Sequence, residues 1–254
     1  MTRHPIVSAA VVIALMVLGG IPGVQAAEVS LIASNAVKEP LQHLIPAFEK
    51  ETGNRVRILW GGTEAVTKRI SGGEVGDAAL IAAPNIDRLI QEGKLATGSR
   101  ADIAKSLVGI AIRPGLPKPD VSSAEAVKQA VLAAHSIAYS SGPSGFYLQE
   151  LFRKMGIAEQ IKGKVKQPAS GVQIAELLAR GEADLGFQQV SELLHAPGIE
   201  FLGPLPMEIQ NVTVWSVGLH SAAPMPDAAK ALVQFLTSAQ AASILKSSGL
   251  EPAS

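Results

Sequence analysis

The chain has 254 residues, with 22 Lys and Arg against 22 Asp and Glu, no cysteine, and an apolar share of 47% that is poor in aromatic rings. Balanced charge argues against a nucleic-acid or anionic-membrane partner, either of which calls for a basic excess. The lack of cysteine excludes disulfides and thiolate metal sites, and at this length one large domain or two lobes can bury an adequate core.

The first residues carry an address. Arg3 and His4 precede a wholly small or apolar run over 6–18, then Gly19, Gly20, Pro22 and Gly23, then VQAA at 24–27. A basic start, an apolar stretch and a small-residue exit are the parts of a cleavable secretory signal, expected here over 1–26. The run is broken short of the about 20 apolar residues that a spanning helix needs. Export of the remainder as a soluble monomer is the expectation.

The remainder of the chain alternates strand and helix signals. EVSLIA at 28–33 is a first strand, and Ser34 and Asn35 cap a helix carrying Val37, Leu41, Leu44 and Phe48 at helical spacing. Pro40 and Pro46 predict a kink or a late start for it, and Gly53 ends it. RVRILW at 55–60 is a second strand, a helix reaches Ile70, and DAALIAA at 77–83 is a third strand. Near-continuous apolar strands with helical crossovers predict a parallel sheet covered on both faces. Further strands are expected over 106–112, 136–139, 185–190, 199–202 and 211–219. Helices are expected over 123–134, from the 140–145 loop to Met155, over 172–180, and as a pair within 226–248. The fold class is α/β, with two lobes joined by crossings near 106–112 and 211–219: residues 27–106 with 218–254 form one lobe, and 107–217 the other.

Four loops place small polar residues beside helix starts: Ser34 with Asn35; Gly62, Thr63 and Glu64; 140–145, which includes Ser141 and Ser144; and Ser170 with Gly171. Open α/β sheets bind ligands beyond the carboxyl ends of their strands, and helix N-termini offer unpaired N–H groups to anions. Single loops of this kind are ordinary caps; four of them on both lobes point to a ligand. No G-x-S-x-G elbow, phosphate loop or dinucleotide fingerprint is present, and His43, His135, His195 and His220 have no metal-ligand spacing. The expectation is therefore a site without metal or cofactor. Glu64 complements a helix dipole or, if it faces the cleft, acts as a general base. Period-2 alternation lets only one of Gln188 and Gln189 face the cleft.

Five stretches, 33–53 (ASNAVKEPLQHLIPAFEKETG), 61–84 (GGTEAVTKRISGGEVGDAALIAAP), 139–157 (YSSGPSGFYLQELFRKMGI), 176–192 (ELLARGEADLGFQQVSE) and 235–250 (FLTSAQAASILKSSGL), together resemble the type II periplasmic solute-binding proteins, in particular the molybdate-binding branch. The resemblance implies two Rossmann-like lobes joined by two crossing strands, closing on an anion. It also implies a periplasmic location and an ABC permease as partner. Carried over by position, it implies ligand contacts at Ser34, Gly62, Thr63, Ser144 and Gly171 or Val172, with Gln189, or Gln188 if the register slips by one, where the molybdate binders have a tyrosine. Asn35 and Glu64 replace an apolar and a small neutral residue. A carboxylate near a tetrahedral dianion in a low-dielectric cleft costs several kcal/mol at about 4 Å. That disfavours molybdate and tungstate and favours a small organic acid. With GPLPMEIQ at 203–210, the chain is also similar to a group that includes an exported aconitate isomerase. For that activity Glu64 is the expected base. The hydroxyls of Ser34, Thr63, Ser141 and Ser144 are the expected clamp, with Lys68, Arg69 and Arg113 as candidate carboxylate grips.

Overall fold

The computed structural model describes residues 26–253, so the expected signal lies, but for Ala26, outside the described residues. In chain order the first half holds β1 (Glu28–Ser34), α1 (Lys38–Thr52), β2 (Arg55–Gly61), α2 (Thr63–Ser71), β3 (Ala78–Ala82), α3 (Ala83–Gln91) and β4 (Ala101–Ile112). There follow α4 (Ala124–Ala133), β5 (Ile137–Tyr139), α5 (Pro143–Lys154), α6 (Ala158–Ile161), β6 (Val165–Lys166), α7 (Ile174–Ala179), β7 (Leu185–Gln189) and α8 (Val190–Leu193). The chain ends with β8 (Glu200–Pro204), β9 (Val212–Leu219), α9 (Pro226–Leu236), α10 (Ala239–Ser247) and β10 (Glu251–Pro252).

The strands run β2-β1-β3-β9-β4-β7-β5-β6, with β8 and β10 also paired to β4. β1 is parallel to β2 and β3, and β5 is parallel to β6 and β7; the pairs involving β4 and β9 are antiparallel. Strand alternation builds two lobes, each a sheet between helices. On β1, Val29, Leu31 and Ala33 pack with α1, α9 and α10, while Ile32 turns to the other face with α2 and α3. On β4, Val108, Ile110 and Ile112 pack with α4 to α6, while Ala111 faces α7 and α8.

Local chemistry explains the boundaries. Ser34 Oγ accepts from the Ala36 N–H at 3.3 Å, which caps a 3-10 turn over Asn35–Val37, and α1 starts only at Lys38. Pro40 falls in the first turn, where its missing N–H removes no intrahelical bond. Gly53, at φ 74°, closes α1 in the left-handed region that glycine adopts without a Cβ clash. Helix α3 has no counterpart among the expected elements; Pro84 stands at its start, a position that tolerates proline. β4 begins at Ala101 rather than near 106, and the expected lobe boundary at 217/218 falls inside β9, which pairs throughout with strands of the first sheet.

β4 crosses between sheets without a break. Ala101 to Leu107 pair with β9, and Val108 to Ile112 pair with β7 and β8. At the junction the Gln210 side chain acts as a piece of strand. Its Oε1 accepts from the Val108 N–H at 2.8 Å, and its Nε2 donates to the carbonyls of Val108 at 3.1 Å and Leu205 at 2.9 Å. Gln210 thereby ties the first crossing to the second. Gln210→Leu leaves the fully buried Val108 N–H without an acceptor. Urea denaturation is expected to show a loss of about 1–3 kcal/mol, the cost of one buried unsatisfied group.

Candidate functional site

β1, β2, β5 and β7 all end at the seam between the lobes, and the loops that leave them enclose a cavity of about 30 Å³. That volume admits about two waters. Its wall includes Ser34, Asn35, Gly62, Thr63, Ser141, Ser144, Gly171, Val172 and both glutamines, 188 and 189. The nine ligand-contact positions expected from sequence are therefore gathered in one place.

The lobes meet directly around it. Asn35 Nδ2 donates to the Gly171 carbonyl at 2.9 Å, and Ser191 Oγ donates to the Ala36 carbonyl at 2.8 Å. The Ala65 N–H reaches Ser170 Oγ at 3.4 Å, and at the rim His195 Nδ1 lies 2.6 Å from Glu39 Oε1. A Cβ on Gly62 would run into Ser170 Oγ and the backbone nitrogen of Gly171, so the bare Cα is what allows this approach. Val172 spends its own N–H on the Ala169 carbonyl at 3.2 Å.

The wall is rich in donors and carries no cation. Gly62 and Gly142 are the N-caps of α2 and α5 and offer no side-chain cap; with the Ala65 N–H on Ser170 Oγ and Pro143 lacking an N–H, the Thr63, Glu64, Ser144 and Gly145 N–H groups remain for a ligand. Thr63 Oγ1 lies 3.3 Å from Ser34 Oγ, and Ser140 Oγ lies 3.0 Å from Ser144 Oγ. Three buried polar atoms in the wall have no protein partner: Ser141 Oγ, Gln189 Oε1 and Trp215 Nε1. Of the candidate grips, Arg69 is paired with Glu74 at 2.5 Å, Arg113 with Asp184 at 3.2 Å, and Lys68 is exposed; none lines the cavity.

Two expectations need correction. Glu64 is not beside the hydroxyl cluster: its carboxylate accepts from Asn85 Nδ2 at 3.1 Å and faces a separate groove of about 490 Å³ with Pro84, Arg100 and Phe146. The first helical turn carries its side chain away from the seam. Gln188 and Gln189 both line the cavity, because β7 ends at Gln189 and the chain turns into α8, which ends the alternation there.

The carboxyl that does line the cavity is Glu192, on α8, which the residue patterns did not single out. The sequence signal was its place at the end of the 176–192 stretch, four residues beyond Gln188 and one helical turn away. Gln188 accepts from the Ile174 N–H at 2.8 Å, which fixes its amide so that Nε2 donates to Glu192 Oε1 at 2.8 Å and to Gln173 Oε1 at 3.3 Å. Glu192 also borders an outer groove of about 340 Å³ and keeps part of its surface exposed there. Burial of its carboxyl pushes its pKa up to about 7, against the opposing pull of the Gln173 and Gln188 amides and the Gln189 backbone. Trp215 was missed because its ring packs in the first-lobe core, although the residue also lines the seam cavity. Because the folded protein holds the Glu192 proton to higher pH than the unfolded chain, this group favours folding below its ordinary range and loses that contribution as pH rises to about 7. Melting curves across this window are expected to show a decline with pH in the wild type that Glu192→Gln lacks.

Comparison with known proteins agrees with this architecture. Residues 29–251 match the family described as bacterial extracellular solute-binding protein. The chain is 37% identical over 230 residues to an aconitate isomerase of Pseudomonas sp, covering 88% of this chain and 87% of the other. It is 28% identical over 234 residues to the molybdate-binding protein ModA of Azotobacter vinelandii, covering 89% and 90%. Among solved structures, the periplasmic molybdate-binding protein of A. vinelandii superposes with a TM-score of 0.75 at 20% identity over 87% of this chain and 98% of that one. The sulfate-binding protein SubI of Mycobacterium tuberculosis superposes with a TM-score of 0.73 at 16% identity over 89% and 87%. The match runs through both lobes and across the seam, and the chain belongs to the bacterial extracellular solute-binding proteins, with the two-lobed α/β fold of the periplasmic binding proteins.

Proposed function

We propose that the mature protein works in the periplasm, captures a small anion between its lobes, and hands it to an ABC permease. The observation that carries this is the seam cavity, walled by hydroxyls, an indole N–H and two helix starts, with no Lys or Arg. Such a wall holds an anion through neutral donors, each hydrogen bond to a charged ligand being worth roughly 1.5–3 kcal/mol. The relatives with the same fold include binders of molybdate and sulfate by name. A carboxyl at the wall weighs against a fully ionised dianion and for a small carboxylate. Any ligand larger than about two waters needs the lobes to separate before entry. Thr63→Ala and Ser144→Ala are expected to weaken anion binding by about tenfold or more, measured by calorimetry, while lowering the melting temperature without ligand by only about 2–4 °C, the cost of one buried hydrogen bond. A ligand series of molybdate, sulfate and small carboxylates that never shifts the melting temperature defeats this reading.

A second reading rests on Glu192 and on the isomerase relative. A carboxyl with a pKa near 7 at the cavity wall suits proton transfer at neutral pH. On trans-aconitate the ionised Glu192 would take a proton from the methylene carbon as the double bond shifts. After exchanging that proton with solvent, the same carboxyl would deliver a proton to the former vinylic carbon, giving the cis isomer with one proton taken and one returned. Incubation with trans-aconitate in deuterated water is expected to yield the cis form carrying deuterium at carbon. Glu192→Gln is expected to lose turnover by about 10²–10⁴-fold, and Glu64→Gln to keep it. Aconitate recovered unchanged leaves capture as the function.

A further inference from the structure

We propose that Gln189 and Glu192 form an acceptor edge in the cavity that selects ligands bringing a proton of their own, a hydroxyl or a protonated acid group beside the anionic one. This deepens the anion-capture reading and rests on it. The donors of the cavity come from α2, α5 and the Ser140–Ser144 loop, and they suit the anionic end of a ligand. Across from them stands a different chemistry. Gln189 lines the cavity and is 1% exposed; its Nε2 donates to Thr213 Oγ1 at 2.9 Å, and its Oε1 is buried without a protein partner. Thr213 and Trp215 lie two residues apart on β9 and share a face, and Trp215, whose indole N–H is equally unpartnered, lines the same cavity. Glu192, its Oε1 anchored by the locked amide of Gln188, supplies the second acceptor.

A ligand that offers only acceptors satisfies the donor wall and leaves Gln189 Oε1 desolvated and unpaired. A ligand with one hydroxyl or acidic O–H satisfies both. A site built to accept from a ligand O–H rejects the analogue lacking it more strongly than a difference in size alone would. Glu192 adds a pH dependence, because a protonated carboxyl can itself donate to an ionised ligand and an ionised one cannot. The other charged or titratable groups around Glu192 are Lys38 and Glu39 of α1, Glu176 of α7 and His195 beyond α8; all border the outer groove, and none lines the cavity.

Two matched pairs test this by calorimetry: malate against succinate, which differ by one hydroxyl, and phosphate against sulfate, which differ by an acidic proton. The wild type is expected to prefer malate and phosphate by at least about tenfold. Gln189→Met is expected to erase most of that preference, by weakening malate and phosphate and by relieving succinate and sulfate of the unpaired Gln189 oxygen. Above pH 7 succinate affinity is expected to fall by about tenfold per pH unit in the wild type and to stay flat in Glu192→Gln. Succinate and sulfate bound as tightly as their partners overturn the acceptor edge while anion capture stands. A preference that survives Gln189→Met, or an unchanged pH slope in Glu192→Gln, overturns it as well. Failure of all four anions to bind at any pH defeats anion capture itself, and this proposal with it. The wild-type comparison needs no variant, and melting temperatures without ligand report whether each variant is folded.

Discussion

Strand β4 belongs to two sheets, and the relation between the lobes depends on how it changes partners. A strand that leaves one sheet for another exposes its N–H and C=O groups at the point of change, where a buried unpaired group is costly. The amide of Gln210 fills that gap at Val108 with the geometry of a neighbouring strand. Gln210 belongs to the returning segment, so the same bonds fasten both crossings together. The lobes are consequently hinged on a short hydrogen-bonded bridge instead of a free linker, and each lobe keeps its own core on both faces of its sheet.

The seam is built on the opposite plan. Its cross-lobe hydrogen bonds run through side chains, among them Asn35 to the Gly171 carbonyl and Ser191 to the Ala36 carbonyl. Such contacts exchange readily for water, each being worth about 1 kcal/mol net. A neutral donor wall adds directional bonds to a ligand without the desolvation cost of a buried cation. Opening for capture, on the reading proposed above, would break these contacts and leave the two cores intact.

Much of this was legible in the chain. The 61–63 turn into α2 and the serine loop before α5 place small residues beside helix starts after strands, and that pattern has one physical use besides capping. The shared strand was half legible: 106–112 was recognised as a crossing, but its first residues, Ala101 to Lys105, carry too many polar side chains to look like a buried strand. Helix α3 was hidden by Pro84, which is a breaker in general and harmless at a helix start. Glu64 was misplaced because a residue's position after a glycine turn fixes its backbone, whereas the direction of its side chain depends on the helical phase. Glu192 and Trp215 were invisible for a tertiary reason. One stands on a four-residue helix and the other on a strand whose packing is core, and only the meeting of the lobes brings their polar atoms to the cavity.

Helix α8 is a single turn, and neither lobe's main packing leans on its carboxyl-bearing residue. Ser191 joins the lobes and Glu192 faces the cavity, so mechanical closure and acid–base character sit on adjacent residues of one small element. A change at Glu192 would then alter the acid–base character of the cavity wall and cost the scaffold almost nothing. Fold and activity are separable here at the scale of one helical turn.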